Sequence, residues 1–275
     1  MMRKHILARW GLPIFLMLLL WAACAAAGYA SSEDAVWPES PGTVVDSNGN
    51  MTVDSSHADQ GYVMIRVTNP TKNRMKLRVT YGGGQLMYDV NSEGEYEAFP
   101  LQLGSGQYEF SMFENVKGSK YSAAGKVTLT VELVDPNAAY LVPNQYVNYN
   151  ILTEAVKKSD EIGSGATRGT YDAVCNFISS EFAYDFVRAA TISPGELPDI
   201  DYCYENRMGI CQDLSAVMVC MLRVQGIPAR LVIGYADKYY HAWTVTVLDG
   251  EEIFFDPTVA VGALNVSKYA IERMY

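Results

Sequence analysis

In the stretch Gly209-Ile210-Cys211-Gln212-Asp213-Leu214-Ser215-Ala216-Val217-Met218-Val219-Cys220-Met221-Leu222, Leu214, Val217, Met218, Met221 and Leu222 fall at i, +3, +4, +7 and +8. That spacing is one face of a helix. The helix begins near Cys211, and Gly226 with Pro228 beyond its last turn marks its stop. Cys211 therefore opens the helix, where unpaired backbone N–H groups stabilise an anion and favour a thiolate. The same first turn offers N–H donors to an oxyanion. Taken alone, Cys211 reads equally as a buried small hydrophobe or half of a disulfide.

Immediately downstream, Ala229–Tyr235 and His241–Leu248 read as strands, and Glu252–Asp256 as a third. Asp249-Gly250 between the last two is a strong hairpin signal. A two-residue loop pairs Leu248 with Glu251 and sets Asp256 opposite Trp243, on the face that His241 shares. His241 and Asp256 are then diagonal neighbours, about 7–8 Å apart at the backbone and within reach of a carboxylate–imidazole hydrogen bond. A loop one residue longer would put them on opposite faces. Nucleophile, histidine and orienting acid together make a generalised triad.

Upstream, Tyr171, Val174, Cys175, Ile178 and Phe182 mark another helix face. The fold class expected for 137–275 is thus α+β, a helix packed on an antiparallel sheet. From 60 to 136 the pattern alternates instead. Tyr62–Val67, Met75–Tyr81, Tyr108–Phe113 and Lys126–Leu133 are short strands separated by Gly and Asn turns, as in a small β-sandwich. No catalytic constellation lies in that sandwich, which reads as a spacer or binding module. Residues 31–59 read as a polar linker.

Arg3, Lys4 and Arg9 precede an apolar run from Leu12 to Ala27 and the small residues Gly28-Tyr29-Ala30, the layout of a secretory signal over 1–30. Trp21-Ala22-Ala23-Cys24 also allows a lipid-anchored form, and the run is near the length of an uncleaved anchor. All three place the folded part outside the cytoplasm, secreted or anchored at the cell surface. Cys175, Cys203, Cys211 and Cys220 follow in that setting, and disulfides among them are possible, with no pairing legible.

Composition narrows the chemistry. The 275 residues are 49% hydrophobic and 19% charged, a globular balance. They carry 21 basic against 31 acidic side chains, a net of −10. So acidic a chain, without a basic stripe, excludes nucleic acid as its main partner. Only His5, His57 and His241 occur, and no zinc spacing, phosphate loop, dinucleotide fingerprint or calcium loop is present. No cofactor or metal is expected.

Asn206 to Ala216, Gly226-Ile227-Pro228-Ala229-Arg230, His241-Ala242-Trp243 and Asp256-Pro257-Thr258 closely resemble the core motifs of the transglutaminase-like superfamily, in order and in spacing. The resemblance runs from about Ala166 to Ala260. It implies a papain-like core with Cys211 as nucleophile, His241 as general base and acid, and Asp256 orienting His241. The whole chain also looks like exported bacterial proteins with a β-sandwich ahead of such a domain, Pro143–Val147 and Pro194–Asp199 being similar to segments found there. Such a resemblance implies an enzyme that acts on peptide or amide bonds of peptide or protein substrates through an acyl-enzyme. Hydrolysis is the leading reading. Cross-linking by transamidation, action on cell-wall peptides and a non-catalytic surface-binding module are the others. It places no oxyanion side chain with assurance, and Asp213 and Trp243 are motif positions without an assigned catalytic step.

Overall fold

Alternating sequence becomes two four-stranded antiparallel sheets in the computed structural model, which describes residues 31–275. The segment 1–30, with its expected export signal and Cys24, lies outside the described residues. The strands are β1 (Val45–Asn48), β2 (Met51–Asp54), β3 (Tyr62–Val67), β4 (Met75–Tyr81), β5 (Gly84–Val90), β6 (Glu97–Pro100), β7 (Gly106–Lys117) and β8 (Lys120–Val131). One sheet runs β1-β2-β3-β6 and the other β5-β4-β7-β8. Met75, Leu77 and Val79 of β4 point inward while Lys76, Arg78 and Thr80 do not, as strict alternation requires.

The first sheet begins earlier than the sequence suggests. Residues 31–59, expected as a linker, hold β1 and β2, which extend it to Val45. Every side chain of β1 is exposed, so its Asp, Ser and Asn give no apolar signal. Every side chain of β2 is buried, so it shows no alternation either. Gly49 in their turn has φ +61°, and a Cβ there would lie 2.2 Å from the Ala124 carbonyl oxygen on the facing sheet. Further upstream, Ser32 docks on the C-terminal half of the chain, its N–H donating to Asp160 Oδ1 at 2.8 Å.

Beyond the sandwich come α1 (Glu154–Ile162), α2 (Arg168–Glu181), β9 (Ala183–Tyr184), α3 (Phe186–Thr191), α4 (Ile200–Asn206), β10 (Met208–Gly209), α5 (Cys211–Arg223), β11 (Ala229–Ala236), β12 (Tyr239–Leu248), β13 (Glu251–Phe255), α6 (Pro257–Ala260) and β14 (Tyr269–Met274). The third sheet is ordered β13-β12-β11-β14 and antiparallel throughout. This is the expected helix-on-sheet α+β arrangement, with α5 at its centre and packed on β11, β12, α1, α2 and α4. From Asp213 to Arg223 every residue of α5 is buried.

Arg223 closes that helix, its guanidinium donating to three backbone oxygens, Ala229 at 2.9 Å, Val142 at 2.6 Å and Tyr275 at 2.9 Å. Complete burial pulls its pKa below the ordinary arginine value. Tyr275, so held, stacks on Tyr146 with ring centroids 3.6 Å apart and meets Tyr88 of the sandwich edge-on at 5.9 Å. One side chain thus ties the central helix, the connection at Val142, β14 and the sandwich. Arg223→Leu removes three buried charge-assisted hydrogen bonds, each worth about 1.5–3 kcal/mol, although the Tyr275 oxygen keeps the Leu231 N–H at 2.9 Å. Urea unfolding followed by circular dichroism should show a loss of about 3 kcal/mol or more, as a lower midpoint at unchanged slope.

Candidate active site

Cys211 occupies the first position of α5, after Ile210 in extended conformation. The turn that puts it there is organised by Asp213, which is fully buried. Asp213 Oδ2 accepts from the Ile210 N–H at 3.1 Å and from Arg188 Nε at 3.0 Å, and Oδ1 accepts from the Asp199 N–H at 3.2 Å. A carboxylate in the first turn also complements the helix dipole. Gly209 is small because space demands it: a Cβ there would sit 2.6 Å from Cys203 Sγ and 2.8 Å from Asp213 Cβ. Asp213 is thus a builder of the site and takes no part in bond making.

The hairpin carrying the other two residues has the two-residue loop expected. Leu248 pairs with Glu251 and Thr244 with Phe255. Asp249 and Gly250 have φ of +55° and +79°, the mirror-image turn that fits the strand twist. Asp256, one step past β13, is the N-cap of α6, and its Oδ1 accepts from the N–H groups of Thr258 at 2.9 Å and Val259 at 3.2 Å. The outer oxygen, Oδ2, lies 2.9 Å from His241 Nε2. With Nε2 so occupied, Nδ1 is the ring nitrogen left to face the Cys211 sulfur, which is near enough to help raise the His241 pKa. The structure therefore brings Cys211, His241 and Asp256 together.

Both members of the pair are buried, His241 at 5% exposure and Asp256 at 6%. Burial works against a charged imidazole. The hydrogen bonds with Asp256 and Cys211, reinforced by their charges, outweigh it and hold His241 up to about 9. His241 is thus protonated at neutral pH. The other three cysteines differ. All four are free thiols, but burial pushes the Cys175 thiol up to about 11 and those of Cys203 and Cys220 further still.

Two tyrosines at the site escaped the sequence. Tyr269, from β14, donates its hydroxyl to Asp256 Oδ2 at 2.8 Å, the same oxygen that His241 uses. It also meets Trp243 edge-on at 5.0 Å, and Trp243 lies over His241 with centroids 6.2 Å apart and planes at 26°. Trp243, only 1% exposed, is a wall of the His241–Asp256 pair. Tyr184 comes from β9, which pairs in parallel with β10 and so runs beside the nucleophile turn. Its phenol is pushed up to about 12, by burial and then by the nearby charge of Cys211, and so remains a hydrogen-bond donor at neutral pH. No local pattern in the sequence marks either tyrosine.

These contacts fix a titration. A raised histidine pKa contributes stability fully present below its ordinary value of about 6.5 and lost as pH rises through about 9. Imidazole NMR should give a His241 midpoint near 9. Asp256→Asn should lower it, whereas Tyr269→Phe should raise it, because Oδ2 then serves the imidazolium alone. Equal midpoints in all three proteins would contradict the hydrogen-bond scheme.

Residues 157–257 match the family described as the transglutaminase-like superfamily. Across 190 residues, 61% of this chain, the sequence is 25% identical to the uncharacterised protein YebA of Bacillus subtilis. The match spans 25% of that longer protein. Among solved structures, similarity extends to a protein of Cytophaga hutchinsonii proposed to be a cysteine protease (TM-score 0.40, 19% identity, 75% of this chain and 80% of that one). It also extends to the periplasmic domain of TgpA from Pseudomonas aeruginosa bound to ethylmercury (TM-score 0.35, 18% identity, 79% of this chain and 76% of that one). The stretch 157–257, with Cys211, His241 and Asp256 all inside it, belongs to the transglutaminase-like superfamily.

Proposed function

We propose that the chain is an exported cysteine enzyme that cleaves peptide or amide bonds through an acyl-enzyme on Cys211. The observation that carries this reading is the 2.9 Å contact between His241 Nε2 and Asp256 Oδ2, with the same imidazole beside a cysteine at a helix start. The Cys211 thiolate attacks the amide carbonyl and a C–S bond forms. The Cys211 N–H, at the first helical position, has no intrahelical acceptor and faces the developing oxyanion. Tyr184 is the side chain best placed to add a second donor. The His241 imidazolium then gives its proton to the leaving nitrogen, the C–N bond breaks, and a thioester remains.

Neutral His241 next takes a proton from water as that water attacks the thioester. A carboxylic acid leaves, and the thiolate and imidazolium return. Asp256 keeps Nε2–H directed to itself throughout, so Nδ1 is the proton carrier. Hydrolysis is favoured over transamidation because Cys211 is partly exposed and water needs no binding site of its own. The basic stub and apolar run of residues 1–27 support export, and peptides or proteins outside the cytoplasm, cell-wall peptides among them, are the substrates it implies.

The test is the alkylation rate of Cys211 against pH, read by mass spectrometry. Fast labelling well below pH 8, slowed on the order of tenfold or more by His241→Ala, is expected. Turnover of a glutaminyl peptide should fall by on the order of 10²–10⁴-fold in the same variant, with ammonia or free amine released without an added acceptor. An ordinary thiol profile, indifferent to His241→Ala, would overturn the reading.

A further inference from the structure

Helix α3 buries none of its six side chains. Its first two residues are large and apolar, yet Phe186 is 67% and Val187 76% exposed. Isolated exposed hydrophobics are common, but these two are adjacent and are fixed to the nucleophile turn. The Ala183 N–H donates to Arg207 O and the Asp185 N–H to Gly209 O, both at 2.9 Å. Asp185 Oδ1 in turn accepts from the Arg188 N–H at 2.8 Å and caps α3. The ring of Phe186 meets Tyr184 edge-on at 5.0 Å, and Tyr184 is the phenol that senses Cys211. An apolar rim, Tyr184 and then Phe186 and Val187, therefore leads outward from the strand paired beside the Cys211 turn.

The charge on this rim is already committed. Arg188 is the one charged residue of α3, and its guanidinium pairs with Asp213 at 3.0 Å and Glu196 at 2.8 Å. What α3 leaves to a ligand beside the nucleophile is apolar area. Strand spacing is about 3.3 Å per residue, so a side chain one or two residues from an attacked carbonyl reaches that area.

We propose that Phe186 and Val187 form the specificity surface for the acyl donor. They receive an apolar side chain, aromatic or branched aliphatic, carried one or two residues before the amide that Cys211 attacks. This rests on the reading of Cys211 as a nucleophile and adds the substrate class: peptides with an apolar residue at that place, with no selection for charge.

The probes are acetyl-Phe-Phe and acetyl-Gly-Gly fluoromethyl ketones, which alkylate a thiolate with loss of fluoride. Labelling of Cys211 is followed by mass spectrometry, and each rate is divided by that probe's rate with glutathione. The full chain should favour the Phe-Phe probe by about tenfold or more. Phe186→Ser/Val187→Ser should bring the ratio close to one, while Phe186→Leu, which keeps an apolar side chain, should retain most of the preference at a similar melting temperature. Equal labelling by the two probes in the unaltered chain, or a preference that survives the double substitution, would overturn the proposal. Failure of the underlying reading looks different: Cys211 would then resist iodoacetamide as well.

Discussion

A helix buried along eleven consecutive residues must satisfy the polar groups at both of its ends within the protein, and α5 is such a helix. Asp213 does this at the start, binding two backbone N–H groups and a guanidinium. At the end the last carbonyls take the N–H groups of Val224 to Ile227 and the Ser159 hydroxyl, while the Arg223 side chain anchors the helix to backbone oxygens of three other segments. Burying a cation is a costly choice for stability alone. Here it fixes the rotation and the depth of the helix, and the rotation decides where Cys211 points. Position at the sulfur is thus set by buried charges at the two ends of the helix.

The strands have a matching dependence. His241 and Asp256 share a face only because the loop between β12 and β13 holds two residues, and Asp249 with Gly250 accepts the positive φ values this needs. A second device fixes the carboxylate itself. Oδ1 is held by the first turn of α6 and Oδ2 by His241 and Tyr269, so each oxygen has two partners. Gly234 matters to the last of these contacts. Any Cβ there would lie 2.0 Å from the Ala270 carbonyl oxygen, so its absence lets β14 close on β11 and bring Tyr269 to the pair.

How far this could be read beforehand follows from where each residue's constraint is local. The α5 stripe, the stop at Gly226 and the Asp249-Gly250 turn are encoded within a few residues, and all three appear at the expected positions. The strands β3 and β4 match residue for residue, β4 because its buried and open faces alternate and β3 because it is a short apolar run buried at all but Arg66. By contrast β1 is exposed on both faces and β2 buried on both, so neither alternates and the sandwich begins fifteen residues earlier than its pattern indicated. Tyr269 and Tyr184 were illegible for another reason. Their roles depend on pairing between distant strands, β14 with β11 and β9 with β10, and a single sequence carries no local trace of that pairing.

The electrostatics of the site explain why so much is spent on holding one carboxylate. His241 is buried, and burial by itself would keep the imidazole neutral. A neutral ring could take the thiol proton but would hold it weakly, leaving little driving force to deliver it to an amine. With Asp256 behind it and Cys211 before it, the ring is instead protonated up to about 9. For the proposed acyl transfer the proton is then in place before any substrate arrives, and what must be supplied is a site for the negative charge that would leave the sulfur. In that proposal the charge passes to the carbonyl oxygen, beside the first turn of α5 and Tyr184. An ion pair prepared in advance on one side and donors prepared on the other share one physical requirement, which is that neither may reorganise as the charge moves. The rigid ends of α5 and the doubly bound carboxylate meet that requirement.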